Sequence, residues 1–183
     1  MNSYDLVVVG GGTAGCAAAY TAGKLGIRTL LIEKNIHLGG TITSALVVPA
    51  MESGEHQINT EFYNDLVDEL QKIGGQVTYN GNLGWFNPEL TKIALDNLME
   101  KANVEVYFDT HIRDVELEDN RIKSVIISKE MLSVCNDKIQ QQNKELLVSI
   151  GAKYVIDATG NCEIGKLCGC NFLEKKHKIK TNA

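Results

Sequence analysis

Basic residues are in short supply in this 183-residue chain: 18 Lys and Arg stand against 23 Asp and Glu, and arginine occurs only as Arg28, Arg113 and Arg121. A net charge of −5 and a pI near 5.4 leave no basic footprint for a nucleic acid. The short run Lys175-Lys176-His177-Lys178 reads as a solvated tail. No apolar run approaches the ~20 residues of a membrane-spanning helix, so no membrane span is expected. The start, Met1-Asn2-Ser3-Tyr4-Asp5, passes straight into an apolar run and has neither the basic nor the apolar stretch of a secretory signal. Five cysteines (Cys16, Cys135, Cys162, Cys168 and Cys170) make an odd set, which predicts free thiols and a reducing cytoplasm. Internal repeats and interdomain linkers are absent. What remains is a globular composition, 44% hydrophobic and 22% charged. It suffices for one ordinary domain, or for a large domain missing a part.

Glycine, by contrast, is concentrated early. "VVVGGGTAGCAAA", Val7 to Ala19, places four glycines directly after an apolar run. Leu6 to Val9 has the continuous apolar character of a strand buried on both faces of a parallel sheet. Gly10, Gly12 and Gly15 satisfy G-x-G-x-x-G, and Ala14 to Lys24 reads as a helix. Arg28 to Ile32 forms a second strand closing on Glu33, eighteen residues beyond Gly15. An acid there suits a ribose hydroxyl pair. Gly10 permits the tight turn, Gly12 lets backbone approach a pyrophosphate, and Gly15 lets the helix pack close to the sheet. The pyrophosphate would sit on unpaired amides at the helix start, where the helix dipole favours negative charge.

Glu33 opposes the extra phosphate of NADP, but this unit alone does not separate FAD from NAD. Two further segments bear on the choice. "EKNIHLGGTITSALVVPAM" sets Gly39 and Gly40 just after the second strand, either as a loop or as a second close approach to an extended ligand. "AKYVIDATGNCEIGKLCGC" runs a strand, Tyr154 to Ile156, into Asp157-Ala158-Thr159-Gly160, again small residues at a strand's carboxyl end.

These motifs resemble the N-terminal portion of the FAD-dependent oxidoreductases of the glutathione-reductase-like superfamily. The resemblance extends to a group linked to the flavoprotein component of heterodisulfide reductase. It rests on "VVVGGGTAGCAAA", "LLIEKNIHLGGTITSALV", "FNPELTKIALDNLMEKANVEVYFDT" and "YVIDATG", which together span most of residues 4 to 172. It implies a Rossmann-like α/β fold, a parallel sheet with helices plus a three-stranded antiparallel meander, and non-covalent FAD doing hydride transfer on a small-molecule substrate. It also implies that Gly10, Gly12, Thr13, Ala14 and Gly15 lie at the pyrophosphate, and Glu33 with Lys34 at the adenosine ribose. Gly39, Gly40 and Thr41 would lie near the flavin half, the Ile112 backbone beside adenine, and Ala158, Thr159 and Gly160 at the nucleotide edge. Residues 1–172 would form the FAD-binding domain, with the meander inserted at about 111–150 and 173–183 as a basic tail or the start of a further segment.

The middle of the chain fits this plan. Glu61 to Ile73 is amphipathic, with Phe62, Leu66, Leu70 and Ile73 on one stripe. Asn87-Pro88 is a cap and first-turn pair for a helix running to about Ala102. Val104 to Phe108 is expected as a parallel strand. Ile112 to Leu117, Arg121 to Ser128 and Glu145 to Ser149 are expected as the meander, and Lys129 to Lys144 as an exposed loop or loosely held helix.

Catalytic residues are not identified. His37, His56, Glu52 and Glu55 follow the second strand, where solvated loop positions compete with contact to the flavin ring. Trp85 and Phe86 are read as packing residues rather than substrate-pocket walls. Cys16 stands in the first turn of the phosphate helix, where a dipole lowers a thiol pKa, yet without a C-x-x-C partner it reads as a small packing residue. Cys162, Cys168 and Cys170 follow C-x5-C-x-C, not the compact spacing of an iron–sulfur site, and no metal site is expected. Two departures from the family stand out. Asn161 replaces the usual Asp after Ala158-Thr159-Gly160, and relatives continue well past the point where this chain stops. The chain would then be a fragment, be completed by a C-terminal polypeptide or a second copy, or have become a non-catalytic dinucleotide-binding module. An NAD-dependent dehydrogenase is the further alternative.

Overall fold

The computed structural model describes residues 3–48, 60–79, 82–129, 132–135, 138–141 and 146–172. Strand β1 (Ser3–Val9) enters helix α1 (Thr13–Lys24), and β2 (Thr29–Ile32) follows. Next come α2 (Thr60–Lys72), the strands β3 (Gln76–Tyr79) and β4 (Asn82–Phe86), α3 (Pro88–Lys101) and β5 (Glu105–Tyr107). Then follow β6 (Thr110–Glu118), β7 (Arg121–Lys129), β8 (Leu132–Cys135), β9 (Lys138–Gln141), β10 (Leu146–Asp157) and the short α4 (Glu163–Leu167).

The main sheet has the order β5-β2-β1-β10-β7-β6. Its first four strands are parallel, and β10, β7 and β6 pair antiparallel as the meander. The alternation of side chains across the sheet separates two cores. On one face Leu6, Val8 and Leu31 pack under α1, α2 and α3, against Cys16, Ala19, Leu66, Leu70, Leu95 and Leu98. On the other, Val7, Val9, Leu30 and Ile32 meet Val115, Val125 and Ile127 of the meander, together with Ile164 of α4. Each such fully buried aliphatic side chain contributes about 1.5–3 kcal/mol relative to exposure. Beyond the apolar contacts, Glu69 of α2 accepts a hydrogen bond from Asn97 Nδ2 of α3 at 2.9 Å and pairs with Lys101.

Two expectations need correction. The third meander strand and the strand before Ala158 are one continuous strand. In β10, Leu146–Gly151 pairs with β7, and Gly151–Asp157 pairs with β1. The partner change falls on Gly151, which together with Lys153 splits the apolar pattern into two runs in the sequence while the backbone continues as one strand. Secondly, Lys129 to Lys144 holds the antiparallel pair β8–β9 rather than a loop or helix, with Val134 opposite Ile139. Leu132-Ser133-Val134 alternates apolar and polar at the strand period, a pattern masked by the segment's polar composition. Strands β3 and β4, also paired antiparallel, stand outside the sequence expectations. The consequence for the site is that β1, β2 and β10 end side by side, so the loops leaving them converge.

Candidate functional site

A cleft of about 460 Å³ opens at those carboxyl ends, within the size range of small-molecule sites. Its walls come from distant stretches of chain. Gly10, Gly12, Thr13 and Ala14 follow β1, and Glu33, Lys34 and Asn35 follow β2. Gly40 and Thr41 belong to a 3-10 turn, Gly40–Ile42, while Thr110, His111 and Ile112 open β6. Ala158, Thr159, Gly160, Asn161 and Glu163 follow β10. Of the residues expected at the cofactor, only Gly15 and Gly39 stand behind the wall instead of lining it.

The loop after β1 is shaped by what surrounds each glycine. Gly10 turns at φ +98, its N–H donates to Ile32 O at 2.8 Å, and an added Cβ would lie 2.8 Å from Ala158 O. Behind it, an added Cβ on Gly15 would lie 1.8 Å from Gly10 O, so only glycine lets α1 start this close to β1. Gly12 differs from both: nothing lies within 4 Å of its would-be Cβ. Gly12 is the N-cap of α1 and supplies no side-chain cap, whereas Asn87 caps α3 through Oδ1, accepting from Glu89 N and Leu90 N. The first amides of α1 thus have no side-chain acceptor, and Thr13 and Ala14 line the cleft, the makings of an anion site.

The Gly39-Gly40 pair clasps this loop. Gly39 N–H donates to Gly11 O at 2.8 Å, Thr13 Oγ1 donates to Gly39 O at 3.3 Å, and a Cβ on Gly40 would come within 3.1 Å of Gly12 Cα. The close approach is therefore first between two backbones, with Gly40 also reaching the cleft.

Glu33 is 6% exposed and fixed by three donors. Gly11 N–H donates to Oε2 at 2.6 Å; Asn35 donates to Oε1 from its backbone N–H at 2.8 Å and its Nδ2 at 2.6 Å. At the third loop, Asp157 Oδ1 accepts from Thr159 N and Oγ1 at 3.1 and 2.6 Å, and Oδ2 accepts from Gly165 N at 3.1 Å. Burial pushes the Asp157 carboxyl up, but the Thr159 hydroxyl and the amides of Gly165, Thr159 and Ile164 outweigh it. The carboxyl is held below its usual range. Sequence reasoning did not single out Asn35, Thr110, His111, Glu163 or the holding role of Asp157. The signal available for Asn35 and Asp157 was a side chain at a strand end able to bond its own loop.

The weaker candidates lie elsewhere. Cys16 is fully buried, its Sγ donates to Gly11 O at 3.2 Å, and burial pushes its thiol up to about 12, overriding any lowering by the helix dipole. His37 lies beside Leu38 O and does not line the cleft. Phe86 is buried in the helix-side core, and neither it nor Trp85 lines the cleft. Glu52, Glu55 and His56 lie outside the described residues, as does the Lys175-Lys178 tail. Among the described residues, no three His, Cys, Asp or Glu side chains gather to hold a metal ion, and no helix is long and apolar enough to cross a membrane.

Residues 5–182 match the family model described as FAD dependent oxidoreductase. The chain belongs to that family. This family member is 24% identical over 159 residues to thiamine thiazole synthase of Pyrococcus horikoshii, covering 86% of the chain and 57% of the relative. It is 26% identical over 187 residues to digeranylgeranylglycerophospholipid reductase of Thermoplasma volcanium, covering 92% and 42%. Among solved structures, a geranylgeranyl bacteriochlorophyll reductase-like protein of Thermoplasma acidophilum aligns with TM-score 0.60 at 24% identity, covering 95% of this chain and 44% of that one. The fold is thus that of Rossmann-like flavoproteins, and FAD is the cofactor of the family. The chain spans about half the length of the curated relatives it matches.

Proposed function

We propose that this chain is the cofactor-binding portion of an FAD-dependent oxidoreductase that moves a hydride between a small-molecule substrate and non-covalently held flavin. The observation that carries this reading is the uncapped start of α1, opening onto a cleft that Gly12 leaves free of side chain and that a fixed carboxylate borders. That donor set fits the ADP portion of FAD. Amides at Gly12, Thr13 and Ala14 would receive the diphosphate, with Gly10 and Gly15 letting them come this close. Glu33, held by Gly11 and Asn35, would accept from the ribose hydroxyls beside Lys34, and its charge opposes a 2′-phosphate. Ile112 would flank adenine, Gly39, Gly40 and Thr41 would lie toward the flavin, and Ala158, Thr159 and Gly160 would form the nucleotide edge. When bound, FAD supplies a ring that accepts and releases hydride at N5. No catalytic side chain is assigned.

The half-length match supports a second element of the proposal. Substrate contacts come from a further polypeptide stretch, in the same or a separate chain, with a second copy of this chain as the alternative occupant. Tyr154 and Ile156 lie in register with Leu6 and Val8, which are covered by helices, yet are 74% and 39% exposed on that face. Residues 1–172 are then an incomplete FAD-binding domain with the meander inserted at about 111–150. The unpaired thiols of Cys16, Cys162, Cys168 and Cys170 support a reducing, cytoplasmic setting. Kinship with the flavoprotein component of heterodisulfide reductase rests on the order of the sequence motifs.

The test is the visible absorption spectrum of the purified chain before and after adding FAD, followed by removal of free flavin. A retained flavin spectrum, lost in Glu33→Ala, is expected. A chain that stays colourless overturns self-sufficient FAD binding and leaves the split-enzyme module to be tested by adding the complementary polypeptide. Binding of NAD in place of FAD would favour the dehydrogenase.

A further inference from the structure

Helix α4 carries three thiols at its two ends, all unpaired: Cys162 at its N-cap, Cys168 and Cys170 just past its last turn. The manner in which the helix stops decides which of them can meet. Gly169 N–H donates to Lys166 O at 3.0 Å, Cys170 N–H donates to Gly165 O at 2.9 Å, and Gly169 takes φ +72. This pair of bonds around a left-handed glycine is a Schellman stop, and glycine adopts that φ without steric cost. Two residues apart, the Cα atoms of Cys168 and Cys170 can be at most about 7 Å from each other even in an extended chain. The left-handed bend draws them inside the roughly 4.4–6.8 Å span that a disulfide requires. Cys162 lies six residues before Cys168, about 9 Å along a helix axis, which is beyond that span.

The two thiols also differ in access. Cys170 is exposed, and Cys168 is half-buried against the core around Ile164. Burial pushes the Cys168 thiol up, and Cys170 and Asp157 add to the shift.

We propose that Cys168-Gly169-Cys170 is a thiol–disulfide exchange site that takes small disulfides such as glutathione disulfide. The Cys170 thiolate attacks one sulfur of glutathione disulfide, the sulfur–sulfur bond breaks, and one glutathione leaves as thiolate. The Cys168 thiolate then attacks the Cys170 sulfur, forming the internal disulfide and releasing the second glutathione. The protons given up by the two cysteines end on the two glutathiones; the cysteine pair is oxidised and the glutathione disulfide reduced. An exposed disulfide closed over so short a loop belongs to the labile, readily reduced class rather than to structural bridges.

The experiment uses the full 183-residue chain in glutathione buffers of graded oxidation ratio, quenched with an alkylating agent and digested with trypsin. The tryptic peptide Leu167–Lys175 contains both cysteines and not Cys162, so the result reads directly. In wild type it is expected to lose two hydrogens and to resist alkylation until reduced, in a fraction that rises with the oxidation ratio. Cys168→Ser is expected to leave a glutathione adduct on Cys170, and Cys162→Ser to leave the internal bond unchanged. The proposal is overturned if wild type accumulates the adduct without closing the bond, if Cys162 is linked to either partner, or if the peptide stays fully alkylated at every ratio.

Discussion

Replacing Gly15 by alanine places a Cβ 1.8 Å from Gly10 O and 3.2 Å from Ala158 Cβ. Comfortable contacts begin at about 3.5 Å, so roughly 1.7 Å of clearance is missing. Neither neighbour is the tip of a flexible side chain. The Gly10 carbonyl belongs to a turn whose N–H is tied to Ile32 O at 2.8 Å, and α1 carries Cys16, Ala19 and Tyr20 in the core. Alanine returns about 1 kcal/mol of helix preference over glycine, whereas forcing packed backbone apart costs about 1–3 kcal/mol or more. With the severe contact made to the Gly10 backbone the upper end applies, and the net loss is about 2 kcal/mol. Gly12→Ala is the control from the same loop. At φ −68 and ψ −179 any residue is unstrained, and nothing lies within 4 Å of its Cβ, so the loss is limited to the N-cap preference of glycine over alanine, about 0.5–1 kcal/mol and below that of Gly15→Ala. Its methyl group fills the space left for the diphosphate, and FAD binding should weaken at least tenfold, about 1.4 kcal/mol. Urea unfolding followed by far-ultraviolet circular dichroism reads stability, and flavin fluorescence reads binding. A wild-type unfolding midpoint for Gly15→Ala, or unfolding of Gly12→Ala as early as that of Gly15→Ala, would refute the division of roles between packing and ligand clearance.

Three further outcomes are expected. Because the Asp157 carboxyl is held below its usual range, its contribution is full above the unfolded value near 4 and is lost as pH falls through the lower folded value. Asp157→Asn should therefore flatten the acid limb of stability below about pH 4 and cost about 1 kcal/mol at neutral pH, read from urea midpoints across pH; an unchanged acid limb would remove Asp157 from the account. Asn87→Ala should cost about 1 kcal/mol through loss of the α3 cap, and Asn87→Gly only a few tenths, by the same unfolding assay. Cys16, buried and with its thiol pushed up to about 12, should stay unmodified by a thiol reagent in the folded chain while Cys162 and Cys170 react; mass spectrometry of the labelled peptides decides.

The first βαβ unit was legible because every part of it leaves a local mark: a run of valines for the strand, glycines at fixed offsets, alanines for the helix, an acid at the end of β2. Legibility fails where the deciding contact is remote. Nothing near Gly39 announces that its N–H reaches Gly11 O, and nothing near Asn35 announces that Gly11 N–H takes the other oxygen of Glu33. Cys16 shows a local rule losing to a tertiary one: a helix start favours thiolate, but complete burial disfavours charge more strongly. At Gly151 the difficulty was of another kind. Gly151 and Lys153 break the apolar pattern at the change of pairing partner, so one strand reads as two. The β8–β9 pair failed through composition, since polar residues on both strands hid an alternating pattern.

The cleft is fixed without any help from a ligand. Gly10 N to Ile32 O joins the ends of β1 and β2, and Ala158 N to Val9 O joins β10 to β1. Gly39 N to Gly11 O clasps the second loop onto the first; all three bonds measure 2.8 Å. Strand β10 is itself held by two ladders, the meander on its first half and β1 on its second, so the loop it delivers cannot drift independently of either layer. A wall tied at three points has little to order when a dinucleotide enters, and little binding energy is spent on ordering it. It follows that substitutions in the meander ladder beyond Thr110, His111 and Ile112, which line the cleft, act on cofactor affinity only when they shift the β10 register. Substitutions that remove one tie act on it directly.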